Sequence, residues 1–229
     1  MNSIRRNDPK IMVVGLGYVG LPLAIALARK FSVTGFDANQ ARLNELRMGN
    51  DRTGEMSSEE LARSSIKFID NLDEGAMSDV FVIAVPTPID HENNPDLSAL
   101  RSASQEVGRY LNPGNVVVYE STVFPGVTEE FCGPILETAS GLECGKEFFL
   151  GYSPERINPG DREHAIDKVT KLIAGQTPDV TELLALIYGS VIPAGVYRAQ
   201  DIRTAEAAKV IENAQRDINI AFINCTSSS

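Results

Sequence analysis

The chain has 229 residues, 43% hydrophobic and 23% charged, an ordinary globular composition with room for one large or two small domains and a sizeable core. A formal net charge of −10 argues against electrostatic docking on nucleic acid or an anionic membrane surface. No stretch reaches the roughly 18 apolar residues needed to span a bilayer, and residues 1–10 carry two arginines with no apolar run of the signal-peptide kind behind them. Cys132, Cys144 and Cys225 are odd in number and lack metal-type spacing, so reduced thiols, a cytoplasmic protein and no metal site are expected.

Strand and helix signals alternate along the chain, as a parallel α/β sheet requires. Residues 11–14 are apolar throughout, as a buried parallel strand should be, and run straight into Gly15-Leu-Gly17-Tyr18-Val19-Gly20 and a helical pattern. In such a turn Gly15 permits the tight bend, Gly17 lets phosphate oxygens approach the backbone, and Gly20 lets the helix lie close to the strand. The helix N-terminus then points N–H groups and partial positive charge at the anion. The next strand, residues 32–36, ends at Asp37, 22 residues after Gly15, which is about where an acid reaches the ribose hydroxyls of a dinucleotide. An acid there repels a 2′-phosphate, which predicts NAD rather than NADP; the alternative is a structural glycine turn beside a solvated aspartate.

Asn39 is expected to cap a helix through Arg42 and Leu46 that stops at Gly49, followed by a polar loop with a short helix at 58–63. Strands are expected at 66–69 and 79–85, the latter stopped by Pro86-Thr87-Pro88. Asp96 reads as the N-cap of a helix from residue 97 to about 111, and residues 115–120 as the next strand. Thr128 opens a helix carrying Phe131, Ile135 and Leu136; strands follow at 147–151 and 168–174, a helix from Pro178, and a short strand at 196–198. The predicted fold is a Rossmann-like, doubly wound, mainly parallel sheet over residues 1–200. Residues 201–229 are read as the beginning of a long connecting helix in a truncated chain, because a helix of that length needs something to pack on.

Four constellations lie after strand ends, where open α/β sheets bind ligands. The glycine turn is the first. Pro86-Thr87-Pro88 leaves a hydroxyl between two rigid residues, either a simple turn or an edge that packs on the ribose and nicotinamide side. Glu120-Ser121-Thr122 presents two adjacent hydroxyls that suit a nucleotide, a substrate hydroxyl, a catalytic water or a helix cap. The loop at 152–160 presents Glu155 and Arg156 side by side, a general base and an anion-binding guanidinium, or else a surface salt bridge. On the last helix Lys209 and Asn213 share a face and suit oxyanion stabilisation, whereas Glu212 and Arg216 form a solvated pair. His91 and His164 read as loop residues, and Cys132 as core.

Gly-Leu-Gly-Tyr-Val-Gly-Leu-Pro at 15–22, Phe-Asp-x-Asn at 36–39, Val-Pro-Thr-Pro at 85–88, Glu-Ser-Thr-Val at 120–123, Ser-Pro-Glu-Arg at 153–156 and the helix with Lys209 and Asn213 occur in order. Together they resemble the UDP-glucose/GDP-mannose (nucleotide-sugar) 6-dehydrogenase family, over nearly the whole chain. The loop from Ser153 to Asp161 looks most like members that oxidise UDP-N-acetylhexosamines for polysaccharide synthesis. The resemblance implies oxidation of C6 from alcohol to acid with two NAD⁺. It assigns Gly15, Gly17, Tyr18, Val19, Gly20, Asp37, Arg42, Pro86, Thr87 and Ser121 to the cofactor. Thr122 and Glu155 would position and activate water, Lys209 and Asn213 would stabilise oxyanion character, and Arg156, Ile157 and Asn158 would line the sugar-nucleotide pocket. It also implies a homodimer through the central helix. The family's nucleophilic cysteine, in a Gly-Gly-x-Cys motif, has no match in these residues, so the chain is expected to be the NAD-binding fragment without the full activity. UDP-glucose or UDP-ManNAc as substrate, or a non-catalytic NAD-binding module, are the alternatives.

Overall fold

The strands owe their place to uniform apolarity: β1 (Ile11–Val14), β4 (Val80–Ile83) and β5 (Val116–Tyr119) are buried at every residue. The computed structural model describes residues 8–92, 94–155 and 169–227. The predicted substrate residues Arg156, Ile157 and Asn158, and His164, lie outside the described residues. Between these strands lie α1 (Gly20–Ala28), β2 (Val33–Phe36), α2 (Gln40–Arg47), α3 (Ser58–Arg63), β3 (Lys67–Ile69) and α4 (Ser98–Gly108). After β5 come α5 (Gly133–Ser140), β6 (Phe149–Tyr152), β7 (Lys171–Gly175), α6 (Pro178–Gly189), β8 (Val196–Arg198) and α7 (Ile202–Ser227).

The eight strands form one sheet in the order β3-β2-β1-β4-β5-β6-β7-β8, and every pairing is parallel except β6 with β7. The first six strands have the doubly wound order, whose switch point falls between β1 and β4. Alternation along each strand divides the core in two. Ile11, Val13, Val80, Val82, Val116 and Val118 face α1, α2 and α6, while Met12, Val14, Phe81, Ile83, Val117 and Tyr119 face α4, α5 and α7.

Local signals place most elements within a few residues, and three details differ. The strand expected at 168–174 begins at Lys171 and runs antiparallel to β6, with Tyr152 opposite Ala174. α4 begins at Ser98 because Leu97 takes the capping position; Asp96 accepts the Ser98 N–H from one residue further out. Thr128 does not open an α-helix. It sits buried within a wide π-type turn, Val127–Cys132, that feeds into α5, and its N–H donates to Glu206 of α7 at 2.9 Å.

The glycine turn follows β1 with its backbone under tight constraint. Gly15 has φ +93°, and a side chain at Gly20 would put Cβ 1.9 Å from the Gly15 carbonyl oxygen. At Gly17 a Cβ would meet nothing within 4 Å. Gly20→Ala is therefore expected to cost at least about 2 kcal/mol of stability by forcing α1 off the turn. Gly17→Ala should change stability by no more than about 1 kcal/mol. Paired urea denaturation of the two variants checks this, and equal losses would contradict the packing described.

Candidate cofactor and active site

The site grows from strand ends that continue the ladder a step beyond the strands. Gly15 N–H donates to Phe36 C=O at 2.8 Å, Ala84 to Val14 at 2.8 Å, Glu120 to Ile83 at 2.9 Å, and Ser153 to Tyr119 at 2.9 Å. Four loops thus leave the same edge of the sheet side by side, around the switch point between β1 and β4.

At the glycine turn, α1 begins without a side-chain cap and without an acid in its first turn, which leaves the positive end of its dipole uncompensated. With the open space over Gly17, this is a cradle suited to a pyrophosphate, and the residues present fit a dinucleotide. Tyr18 is 46% exposed beside it, and Val19 holds the N-cap position of α1. Asp37 is fixed by two backbone donors, Leu16 N–H and Asn39 N–H, both at 2.8 Å, so its carboxylate is anchored against the turn itself. Arg42 is buried under the turn: Nε donates to Leu16 C=O at 2.9 Å and a second guanidinium nitrogen to Asp51 at 2.7 Å. Asp51 is held below the usual carboxylate range; burial pushes it up, but hydrogen bonds from Thr53, Arg42 and Met56 outweigh that.

The next two loops are stitched together. Ser121 Oγ donates to Val85 C=O at 2.5 Å, and Thr87 Oγ1 donates to Thr122 C=O at 2.7 Å. Pro86 and Thr122 are exposed on this edge, whereas Ser121 is buried. Beneath them lies a buried charge cluster. Glu120, at the end of β5, accepts from Lys171 Nζ at 2.5 Å and from the Tyr188 hydroxyl at 2.5 Å. Lys171 also donates to Pro154 C=O at 3.2 Å and lies 3.5 Å from the Glu155 carboxylate. Burial pushes Glu120 up to about 7 against the pull of Lys171. Burial also works against the Lys171 ammonium, but the charges of Glu120 and Glu155 outweigh it and hold the lysine above its ordinary value.

α7 is fastened to the same edge by Glu206. Its fully buried carboxylate accepts Gly126 N–H at 2.6 Å and Thr128 N–H at 2.9 Å. Lys209 follows by three residues and Asn213 by four more, so both sit along the face that Glu206 commits to the domain. Lys209 is 7% exposed, with its ammonium 3.7 Å from Glu212, and Asn213 is half-buried further out. The structure therefore brings the glycine turn and Asp37 into direct contact, joins the loops of Thr87 and Thr122, and sets Glu155 against Lys171. Sequence reasoning missed Glu120, Lys171, Tyr188 and Glu206. The available signal was a charged residue flanking an otherwise apolar strand, at Glu120 and Lys171. Burial pushes the Cys132 thiol up to about 11, and Cys144 is raised for the same reason, so neither is an activated nucleophile. Among the described residues no cluster of three or more His, Cys, Asp or Glu is placed to hold a metal ion, and no helix is long and apolar enough to cross a membrane.

Residues 9–192 match the family model of the UDP-glucose/GDP-mannose dehydrogenase family, NAD binding domain. The chain is 54% identical to protein CapL of Staphylococcus aureus over 93% of its own length and 50% of that protein. It is 52% identical to the UDP-N-acetyl-D-glucosamine 6-dehydrogenase of Pseudomonas aeruginosa, over 95% of this chain and 52% of the relative. Among solved structures it resembles the UDP-D-ManNAc dehydrogenase of Pyrococcus horikoshii, with TM-score 0.86 and 32% identity over 94% of this chain and 52% of the other. The chain thus spans about half the length of the relatives it matches. The matched residues include the glycine turn at the switch point and the acid anchored beside it, and the chain belongs to the UDP-glucose/GDP-mannose dehydrogenase family through its NAD binding domain.

Proposed function

We propose that this chain is the NAD-binding part of an enzyme that oxidises C6 of a UDP-N-acetylhexosamine to the uronic acid for polysaccharide precursor synthesis. The observation that carries the reading is the anchoring of Asp37 on the glycine turn at the same sheet edge that presents Thr122 and Glu155. The 52% identity to a UDP-N-acetyl-D-glucosamine 6-dehydrogenase, against 32% to a UDP-N-acetyl-D-mannosamine dehydrogenase, supports a sugar of the N-acetylglucosamine type over UDP-glucose or UDP-ManNAc. NAD, when bound, supplies the hydride acceptor. Gly15, Gly17, Tyr18, Val19 and Gly20 hold its pyrophosphate, and Asp37 takes the adenosine ribose hydroxyls with lone pairs left over from its two backbone bonds. Arg42 serves that end from behind by holding Leu16 and Asp51 in place. Pro86, Thr87 and Ser121 line the nicotinamide side.

The chain's own residues do the remaining chemistry. Glu155 receives a proton from water that the exposed Thr122 hydroxyl orients. Lys209 and Asn213 donate to oxyanion character at C6, aided by the partial burial that strengthens such contacts. Arg156, Ile157 and Asn158 are assigned to the sugar nucleotide in this reading by the family resemblance alone. A homodimer through α7 is supported by its exposed apolar stripe of Ile211, Ile218 and Phe222. A cytoplasmic location is supported by three cysteines without disulfides.

Asp37→Ala should weaken NAD⁺ binding at least about 10-fold, since a charge-assisted hydrogen bond contributes about 1.5–3 kcal/mol. The same variant should narrow the preference for NAD⁺ over NADP⁺. Calorimetric titration with both cofactors checks this, and an unchanged Kd removes Asp37 from the ribose role. Residues 1–229 contain no Gly-Gly-x-Cys sequence, so this chain alone should bind NAD⁺ yet form no uronic acid from UDP-GlcNAc or UDP-GalNAc. Sustained uronate formation in an NADH-coupled assay would sink the idea that the second oxidation needs that thiol.

A further inference from the structure

One cation in the interior serves two carboxylates. Lys171 is 3% exposed and reaches Glu120, Pro154 C=O and Glu155 at 2.5, 3.2 and 3.5 Å. Glu120 is 1% exposed, and its second oxygen is occupied by the Tyr188 hydroxyl. With both glutamates ionised the set carries one uncompensated negative charge in a medium that penalises it; with one proton retained it is neutral. Glu155 stands at the outer end of the set and Glu120 at the inner end. Both Glu120 oxygens accept hydrogen bonds, from Lys171 and from Tyr188, so a proton taken up on Glu120 displaces or reverses one of them and loosens its hold on the ammonium, which then turns further to the outer carboxylate.

We propose that Lys171 is the positioning residue for Glu155, and that Glu120 behind it is a proton-holding partner that decides whether the ammonium serves one carboxylate or two. This rests on the reading of Glu155 as the base that receives a proton from water. When Glu120 is protonated, Lys171 fixes Glu155 as a carboxylate at the site edge. When Glu120 ionises, it competes for the ammonium, and the field at Glu155 becomes more negative.

The charged and titratable groups around Glu120 come from β6, β7, α6 and α7. β7 brings Lys171, α6 brings Tyr188 beneath the ammonium at 5.7 Å from the ring centroid, and the chain after β6 brings Ser153 and Glu155. Ser153 Oγ donates to Leu172 C=O at 2.9 Å. The Tyr152 phenol on β6 is pushed up by burial, with smaller contributions from the Glu206 and Glu120 charges. α7 packs on β6 and β7 with Glu206 committed to Gly126 and Thr128, and with Lys209 one turn further on.

The test follows the Glu120 carboxyl carbon by NMR in the chain labelled at glutamate, from pH 5 to 9, with the signal identified by its loss in Glu120→Gln. Its midpoint is expected at about 7. In Glu155→Gln a like charge is removed, so the midpoint should fall by about one unit; in Lys171→Met the counter-charge is removed, so it should rise. Lys171→Arg should restore the midpoint toward that of the unsubstituted chain. If Lys171→Met does not fold, judged by circular dichroism, the Glu155→Gln arm decides alone. An unchanged midpoint in Glu155→Gln overturns the inference. NAD⁺ affinity of the unsubstituted chain is measured separately: its absence overturns the proposed function, while an unmoved midpoint with intact binding overturns only the coupling.

Discussion

β1 pairs on both sides, with β2 through Ile11↔Val33 and with β4 through Ile11↔Val80, and the rest of the molecule takes its coordinates from that double pairing. Because both neighbours run parallel to it, their exits lie at one edge. Because the chain winds outward in opposite directions from β1 and β4, no connection covers the gap between them. The turn after β1 must then clear the start of the loop after β4. A side chain at Gly15 would lie 2.7 Å from the Ala84 carbonyl oxygen, so the tightness of the cradle is a consequence of strand pairing and not of the turn alone. Any shift in this register would move the phosphate cradle relative to Thr87, Thr122 and Glu155 together.

In the proposed reading an acidic protein holds an anion at this turn without lending it a cation. Residues 15–22 contain no lysine or arginine. Arg42, the nearby guanidinium, is spent on the Leu16 carbonyl and Asp51, where it keeps the turn from moving. Asp37 in turn takes the Leu16 N–H. Leu16 is gripped at both its N–H and its C=O by charged side chains, so the turn is preorganised by charges already engaged with its backbone. Attraction at the cradle is then left to backbone dipoles, which need no protonation and change little with pH.

This division explains what could be read from the chain and what could not. The glycine turn, the uniformly apolar strands and the acid ending β2 are local patterns within a few tens of residues, and they gave the doubly wound order and the position of the cradle. The charge cluster joins partners that are 51 and 68 residues apart, Lys171 and Tyr188 to Glu120. Glu206 meets its backbone donors across 80 and 78 residues. No local period encodes such contacts; only the oddity of a charged residue bordering an apolar strand hints at them. The π-type turn at Val127–Cys132 escaped for the same reason, since it has no side-chain cap of its own and its Thr128 N–H, with the Gly126 N–H just before it, is satisfied by Glu206 of α7. The antiparallel course of β7 depends on residues outside the local strand pattern, and a parallel reading of that segment would have put Lys171 at the opposite edge from Glu120.

The two ends of the site consequently answer to different physics. Glu120 holds its proton up to about 7 in the folded chain, whereas a carboxyl in the unfolded chain loses it in the ordinary carboxylate range. Between those values the folded state binds more protons than the unfolded state, so this group's contribution to stability declines as pH rises through the window. Lys171 follows the same sign in a higher window: its folded value is raised, so its contribution is fully present below the ordinary lysine value and is lost as pH rises through its folded value. The ammonium is thus retained across neutral pH while the proton count of the set changes there. Replacing such a cluster with apolar side chains of similar volume often leaves a fold as stable or more so, so stability alone does not account for it. Its location, one residue from Ser121 and directly behind Glu155, ties that proton count to the edge where the chemistry is proposed, while the cofactor cradle across the switch point stays indifferent to it.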